Sequence, residues 1–253
     1  AIPPLVRALH ERTQLAEGLT PDTLNTLNAR FEQATPEEII RWAVETFRPA
    51  VALTSSFGAD SAALIHMALQ VDPRLEIRTV DTGVLFPETY EFMELLQRRF
   101  HLNLAVIKSR MNVKQFLTQH AGQAPGTPGF CCDQYKVEAT ERTLSGLRGW
   151  MTGLMRGEAK TRANTPIVEM LTNGITKVAP IATWNAKQIH AYMKAHDLPY
   201  HPLWAKGYTS IGCWPCTQKP VDPNDPRSGR WAGQDQTECG IHDIGKPPHQ
   251  PKK

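Results

Sequence analysis

Apolar positions along this chain switch period several times, and each switch marks an element. In "TPEEIIRWAVETF" (35–47), Ile39, Ile40, Ala43 and Val44 form one helical stripe. Thr35 precedes Pro36 at the first helical position, and Glu38 stands where it completes a capping box. "LTPDTLNTLNARFEQ" (19–33) has the same Thr–Pro start. "AVALTSSFG" (50–58) then becomes a continuous apolar run ending in a Gly-containing turn, the pattern of a short buried strand. "ADSAALIHMALQ" (59–70) returns to helical spacing. The same exchange recurs with strands at 75–83, 102–108, 148–156 and 175–184. The helices between and after them fall at 87–100, 136–147 and 185–197.

Strands alternating with helices of ten or more residues predict a doubly wound α/β fold around a mostly parallel sheet. Ligands of such folds sit at the carboxyl ends of the strands. From about residue 202 the pattern dissolves into Pro, Gly, Asp and Gln. The division expected is one α/β domain, 1–219, with N-terminal helices, followed by a flexible C-terminal segment, 220–253.

Composition narrows the function classes. With 41% hydrophobic and 21% charged residues, the chain is of ordinary globular make-up. It has no apolar run of 18 residues, so no membrane span is expected, and "AIPPLVRALHERTQ" is a poor secretory signal. A net charge of +3 is too small to indicate nucleic acid. A cytoplasmic protein is expected, and base rates favour a homo-oligomer. Five cysteines without an export signal point to metal binding or catalysis rather than a disulfide framework.

Four places carry candidate chemistry. "SSFGADS" (55–61) lies between a strand and a helix, where Gly58 permits close backbone approach and the helix start supplies N–H groups to an anion. It reads equally as a β–α turn with capping serines. "VDTG" (80–83) ends the next strand, and Asp81 either accepts from a ribose or caps the turn. Both loops face one crevice, which favours a nucleotide. Cys131 and Cys132 are adjacent, and Cys213 and Cys216 form a C-x-x-C. Four thiolates suit a structural zinc or an iron–sulfur cluster, while a redox C-x-x-C leaves the vicinal pair unexplained. Lys136, Arg156, Lys160, Arg162, Arg227 and Arg230 each read singly as surface charges. Arg227 and Arg230, on the C-terminal segment with Cys239, suit a lid closing on an anion.

Taken in order, "SSFGADS", "VDTG", "CC…K", "SIGCWPCT", "GRW" and "ECGIH" resemble the assimilatory adenylyl-sulfate reductases of the phosphoadenylyl-sulfate reductase family, iron–sulfur type. The likeness runs from about residue 35 to 245. It implies a Rossmann-like adenine-nucleotide alpha-hydrolase fold. By the resemblance, Cys131, Cys132, Cys213 and Cys216 hold a [4Fe–4S] cluster. Cys239 would attack the sulfur of adenosine 5′-phosphosulfate, releasing AMP and leaving an S-sulfonate that thioredoxin (or glutaredoxin) cleaves to sulfite. Ser55, Ser56, Gly58, Asp60, Ser61, Asp81, Thr82 and Gly83 would contact the nucleotide. Lys136, Arg156, Arg162, Arg227, Arg230 and His242 would surround the phosphosulfate and the tail. With no thioredoxin-like extension in the sequence, the reductant is expected to be a separate protein.

The chain departs from the family pattern in two places. Phe57 replaces a small residue of the phosphate loop, which narrows that turn. In "GLMRGEAKTRA" (153–163), Met155, Glu158, Ala159 and Lys160 depart from GLRRxQSPTRA, and Lys160 is a candidate compensating charge. These departures leave the 3′-phosphorylated substrate, or dual use, as the alternative. An ATP-dependent tRNA thiolase on the same fold and a non-enzymatic zinc or redox sensor are the other readings. Neither requires the terminal "ECGIH".

Overall fold

The computed structural model describes residues 19–110, 115, 118, 136–222, 224–233 and 238–245. Six strands among them form one sheet: β1 (Val51–Thr54), β2 (Glu76–Asp81), β3 (Asn103–Lys108), β4 (Gly149–Thr152), β5 (Val168–Met170) and β6 (Thr176–Val178). Their order is β3-β2-β1-β4-β6-β5. All pairings are parallel except β5 with β6. The described helices are α1 (Pro21–Phe31), α2 (Pro36–Phe47), α3 (Ser61–Val71), α4 (Pro87–Phe100), α5 (Glu138–Leu144) and α6 (Ala186–Ala195). The doubly wound, mostly parallel architecture expected from the sequence is therefore present.

Local chemistry sets the helix starts. Thr20 caps α1 by accepting from Thr23 N at 3.3 Å. The Thr35–Glu38 capping box opens α2, with Thr35 N donating to Glu38 Oε2 at 2.7 Å. Asn185 and Gln188 form a second such box at α6. Alternate strand residues then face opposite sides, as the pleat requires. Val51, Leu53, Ile77, Met151 and Val178 pack in one cluster with α2, α3, α4 and α6. Ala52 and Trp150 face the other way, onto Leu144, Leu147, Leu171, Ile175 and Ile244.

One expected strand proves to be half of a hairpin. Val168–Met170 runs back along Thr176–Val178 through a turn at Gly174, whose φ is +80°. Asn173 Oδ1 accepts from Ile175 N at 3.2 Å to brace it. Gly174 N donates back to Leu171 O at 3.0 Å, which makes a three-residue hairpin loop with glycine at its left-handed position.

The topology fixes the location of a site. From β1 the chain steps outward to β2 and β3, then returns to β4 on the other side of β1. The strand order thus reverses between β1 and β4. A crevice opens there, at the ends marked by Thr54 and Thr152, which pair in register.

Candidate active site

A cavity of about 240 Å³ occupies that crevice. Ser55, Ser56, Gly58, Asp60 and Ser61 line it, so the structure gathers every nucleotide-contact candidate of the first loop. Ser55 N donates to Arg78 O at 3.0 Å, which continues the β1–β2 ladder into the loop. A Cβ on Gly58 would stand 3.5 Å from Ser56 Oγ, 3.7 Å from Ser61 Oγ and 3.8 Å from Ile211 O, so two hydroxyls and a carbonyl border the space beside Gly58. Desolvation, and next the charge of Glu158, push the Asp60 carboxyl up to about 6.

Phe57 does not narrow the turn, contrary to the sequence expectation. Its backbone adopts φ +49°, in the left-handed region, and this conformation sends the ring into the core, where it is fully buried. Its N–H donates to Ser55 Oγ at 3.1 Å, fixing the loop's first bend.

The second loop behaves differently. Asp81 Oδ1 accepts from Gly83 N at 2.8 Å and from Tyr90 OH at 2.7 Å. This is the turn-capping alternative, and Asp81, Thr82 and Gly83 lie outside the cavity lining. Thr82 instead sits 3.3 Å, Oγ1 to Sγ, from Cys213.

Of the basic residues, Lys136, Arg162, Arg227 and Arg230 line the cavity. Arg156 does not. Its guanidinium forms a two-pronged pair with Glu32 at 2.7 and 2.9 Å, and its Nε donates to Thr165 O at 2.8 Å. That pair raises the Arg156 pKa and lowers that of Glu32. Lys160 is exposed and outside the lining, so it adds no charge to the cavity. Arg230 stacks over Trp231, its Cζ 4.6 Å from the ring centre. Its buried Nε has no hydrogen-bond partner among the described residues, and neither does Trp231 Nε1.

The C-terminal segment closes the cavity. Cys239 is buried against Cys216, Trp231 and Ile241, and it lines the cavity with Glu238 and His242. His242 stacks on Trp150 with ring centres 6.1 Å apart. Its carbonyl accepts from Lys177 Nζ at 3.0 Å. Gly245 O accepts from both the N–H and the hydroxyl of Thr172 at 2.8 Å.

Sequence reasoning missed Glu158, Trp150 and Glu238, which line the cavity, and Lys177, which holds the C-terminal segment. Glu158 carried a signal, its four-residue spacing to Arg162, with which it pairs. Lys177, only 3% exposed inside a strand, carried none.

Cys213 and Cys216 are buried on a single 3₁₀ turn, Trp214–Cys216, with Cys216 N donating to Cys213 O at 3.1 Å. Cys131 and Cys132 lie outside the described residues.

The sequence profile of the phosphoadenosine phosphosulfate reductase domain matches residues 50–219, more than half of the chain. The chain belongs to that family. A Streptomyces coelicolor relative named adenosine 5′-phosphosulfate reductase is 37% identical over 91% of this chain and 99% of its own. A Gloeobacter violaceus family member named phosphoadenosine 5′-phosphosulfate reductase is 38% identical over 90% of this chain and 97% of its own. Among solved structures, a phosphoadenylyl-sulfate reductase from Candida auris in complex with phosphate superposes with a TM-score of 0.69. It is 26% identical and covers 78% of this chain and 97% of its own.

Proposed function

We propose that this chain reduces adenosine 5′-phosphosulfate to sulfite and AMP, as sulfate assimilation requires, with Cys239 as the nucleophile. The observation that carries the reading is that Cys239 lines the same cavity as the Ser55–Ser61 loop and Arg162, Arg227 and Arg230. A thiol, a hydroxyl-bearing strand end and converging guanidinium groups are what transfer of a sulfonyl group from a nucleotide to sulfur needs.

The Cys239 thiolate donates an electron pair to the substrate sulfur, forming S–S as the S–O bond to phosphate breaks. AMP leaves with that bonding pair, its charge met by the arginines. A separate dithiol protein, thioredoxin or glutaredoxin, then attacks Cys239 Sγ. Sulfite departs with the S–S pair, and the reductant's second thiol closes its own disulfide and returns Cys239 as a thiol. The two electrons come from that dithiol. In this reading Cys239 faces the cavity for the first step and swings outward for the second, while the contacts at 242–245 hold the far end of the segment. In this reading the protein works in the cytoplasm, where thiols stay reduced. Among the described residues no helix is long and apolar enough to cross a membrane.

A [4Fe–4S] cluster fits the donor set. Cys213 and Cys216 are buried on one turn, and the Thr82 hydroxyl lies where it donates to a Cys213 thiolate, as outer-shell groups do at such sites. Cys131 and Cys132 would complete the ligands, and the bound cluster would supply a compact centre of charge.

The test is sulfite release with reduced thioredoxin, comparing adenosine 5′-phosphosulfate with its 3′-phosphorylated form. The reading expects a higher kcat/KM for the former. A higher value for the latter assigns the chain to the alternative substrate. Cys239→Ser should abolish release while leaving the visible absorbance of anaerobically purified protein intact, and sulfite release by that variant overturns the proposal.

A further inference from the structure

We propose that Glu238 is a positioning residue whose carboxylate occupies the oxyanion subsite, so that the incoming phosphosulfate displaces it and releases the near end of the Cys239 segment. This rests on the function proposed above. Arg162 offers Nε and Nη2 to the two carboxylate oxygens at 2.7 and 2.9 Å, a fork-to-fork pair. Arg227 Nη2 adds a third contact at 3.1 Å and Thr161 Oγ1 a fourth at 3.3 Å. The arginine side chains are 12% and 13% exposed, so their donors face inward. Arg162 Nη1 pairs with Glu158, so carboxylates face both of these enclosed guanidinium groups.

Planar carboxylate and tetrahedral sulfate or phosphate present oxygen pairs that the same guanidinium fork accepts. Phosphosulfate carries charge on both of its acid groups, so it competes with a single carboxylate for these donors. Arg230 also lines the cavity and makes no ion pair among the described residues, so it offers a first contact that requires no displacement.

The far end of the segment is held by unrelated contacts. Lys177 holds the His242 carbonyl, Thr172 holds that of Gly245, and Ile244 is buried against Trp150 and Leu171. Release at Glu238 therefore leaves residues 242–245 as an anchor and frees Cys239 between the two ends. The apparent affinity for substrate is lowered by the fraction of molecules in which Glu238 occupies the subsite.

The test pairs two readouts on full-length holoprotein, wild type and Glu238→Gln, handled anaerobically. The first is the rate of Cys239 alkylation by iodoacetamide, followed by peptide mass mapping, in chloride and in inorganic sulfate at equal ionic strength. The second is KM and kcat for adenosine 5′-phosphosulfate. Expected are Cys239 alkylation faster on the order of tenfold in the variant, the scale of one charge-assisted hydrogen bond, and sulfate acceleration in wild type only. KM should fall by a similar factor without a rise in kcat. A merely structural role would raise KM, so the sign of the KM change separates the two. Unchanged alkylation, or an unchanged or raised KM, overturns the proposal. If wild type releases no sulfite, the substrate reading fails, and the alkylation arm still decides whether an oxyanion displaces Glu238.

Discussion

Gly212 stands one residue before the C-x-x-C turn, and Arg230 lies directly on it. A Cβ at position 212 would fall 2.5 Å from Arg230 Nη1 and 2.6 Å from its Cζ. No backbone atom is among these nearest neighbours, so Gly212→Ala displaces the end of a flexible side chain and leaves the fold in place. A stability change below about 1 kcal/mol is expected, as for substitutions that open no cavity and break no core packing. The guanidinium, however, must leave its seat on Trp231 at the cavity wall. Hydrogen bonds from a charged donor to an anion contribute about 1.5–3 kcal/mol, so kcat/KM should fall about 10- to 150-fold. The assay is sulfite release under steady-state conditions, with thermal unfolding measured in parallel. Arg230→Ala supplies the reference, and the double variant Gly212→Ala/Arg230→Ala should be no worse than Arg230→Ala alone. Additive losses would show that Gly212 acts by some route other than seating Arg230, and an unchanged kcat/KM in Gly212→Ala would refute the reasoning outright.

Other substitutions probe the remaining parts of the account. Phe57→Ala should destabilise by about 3–5 kcal/mol by denaturant titration, as loss of a buried ring does. Phe57→Gly should cost about 1 kcal/mol less, since glycine relieves the left-handed backbone, and the reverse order would contradict that strain. The Asp60 carboxyl, pushed up to about 6 by desolvation and then by Glu158, titrates above its unfolded value of about 3.9. Its contribution to stability is therefore full below about pH 4 and lost as pH rises through about 6. Anion affinity should weaken over the same interval, and binding measured across it should lose that dependence in Asp60→Asn. Arg156→Ala breaks the partly exposed pair with Glu32, so a stability loss of about 1 kcal/mol or less is expected. Its kcat/KM should be unaltered, whereas a large activity loss would restore Arg156 to the site.

What the sequence shows plainly is what local chemistry decides. Thr35 with Glu38 and Asn185 with Gln188 fix helix starts, because a cap needs only residues three apart. The exchange between strand and helix periods yields the sheet, and the strand ends locate the Ser55–Ser61 loop. The place of Phe57 is hidden in the sequence because a left-handed backbone leaves no mark in an apolar pattern. Arg156 sits away from the cavity because of its partner Glu32, 124 positions away, which nothing near it in sequence names. The polar composition after residue 202 predicts a loose tail, yet 238–245 is seated by isolated contacts. One buried isoleucine, Ile244, two carbonyls and a carboxylate between arginines do this, with Gly245 at φ +74° close against Leu171. Such contacts have no period, so only the folded arrangement of Lys177, Thr172 and Arg162 reveals them.

The central claim is that Cys239 takes up the sulfonyl group. It is tested most directly by mixing the protein with adenosine 5′-phosphosulfate in the absence of any thiol reductant and mapping the product by peptide mass. The account predicts one SO₃ increment per chain on the peptide containing Cys239, with one equivalent of AMP released. AMP release with Cys239 unmodified, or the increment on Cys213 or Cys216, would contradict it.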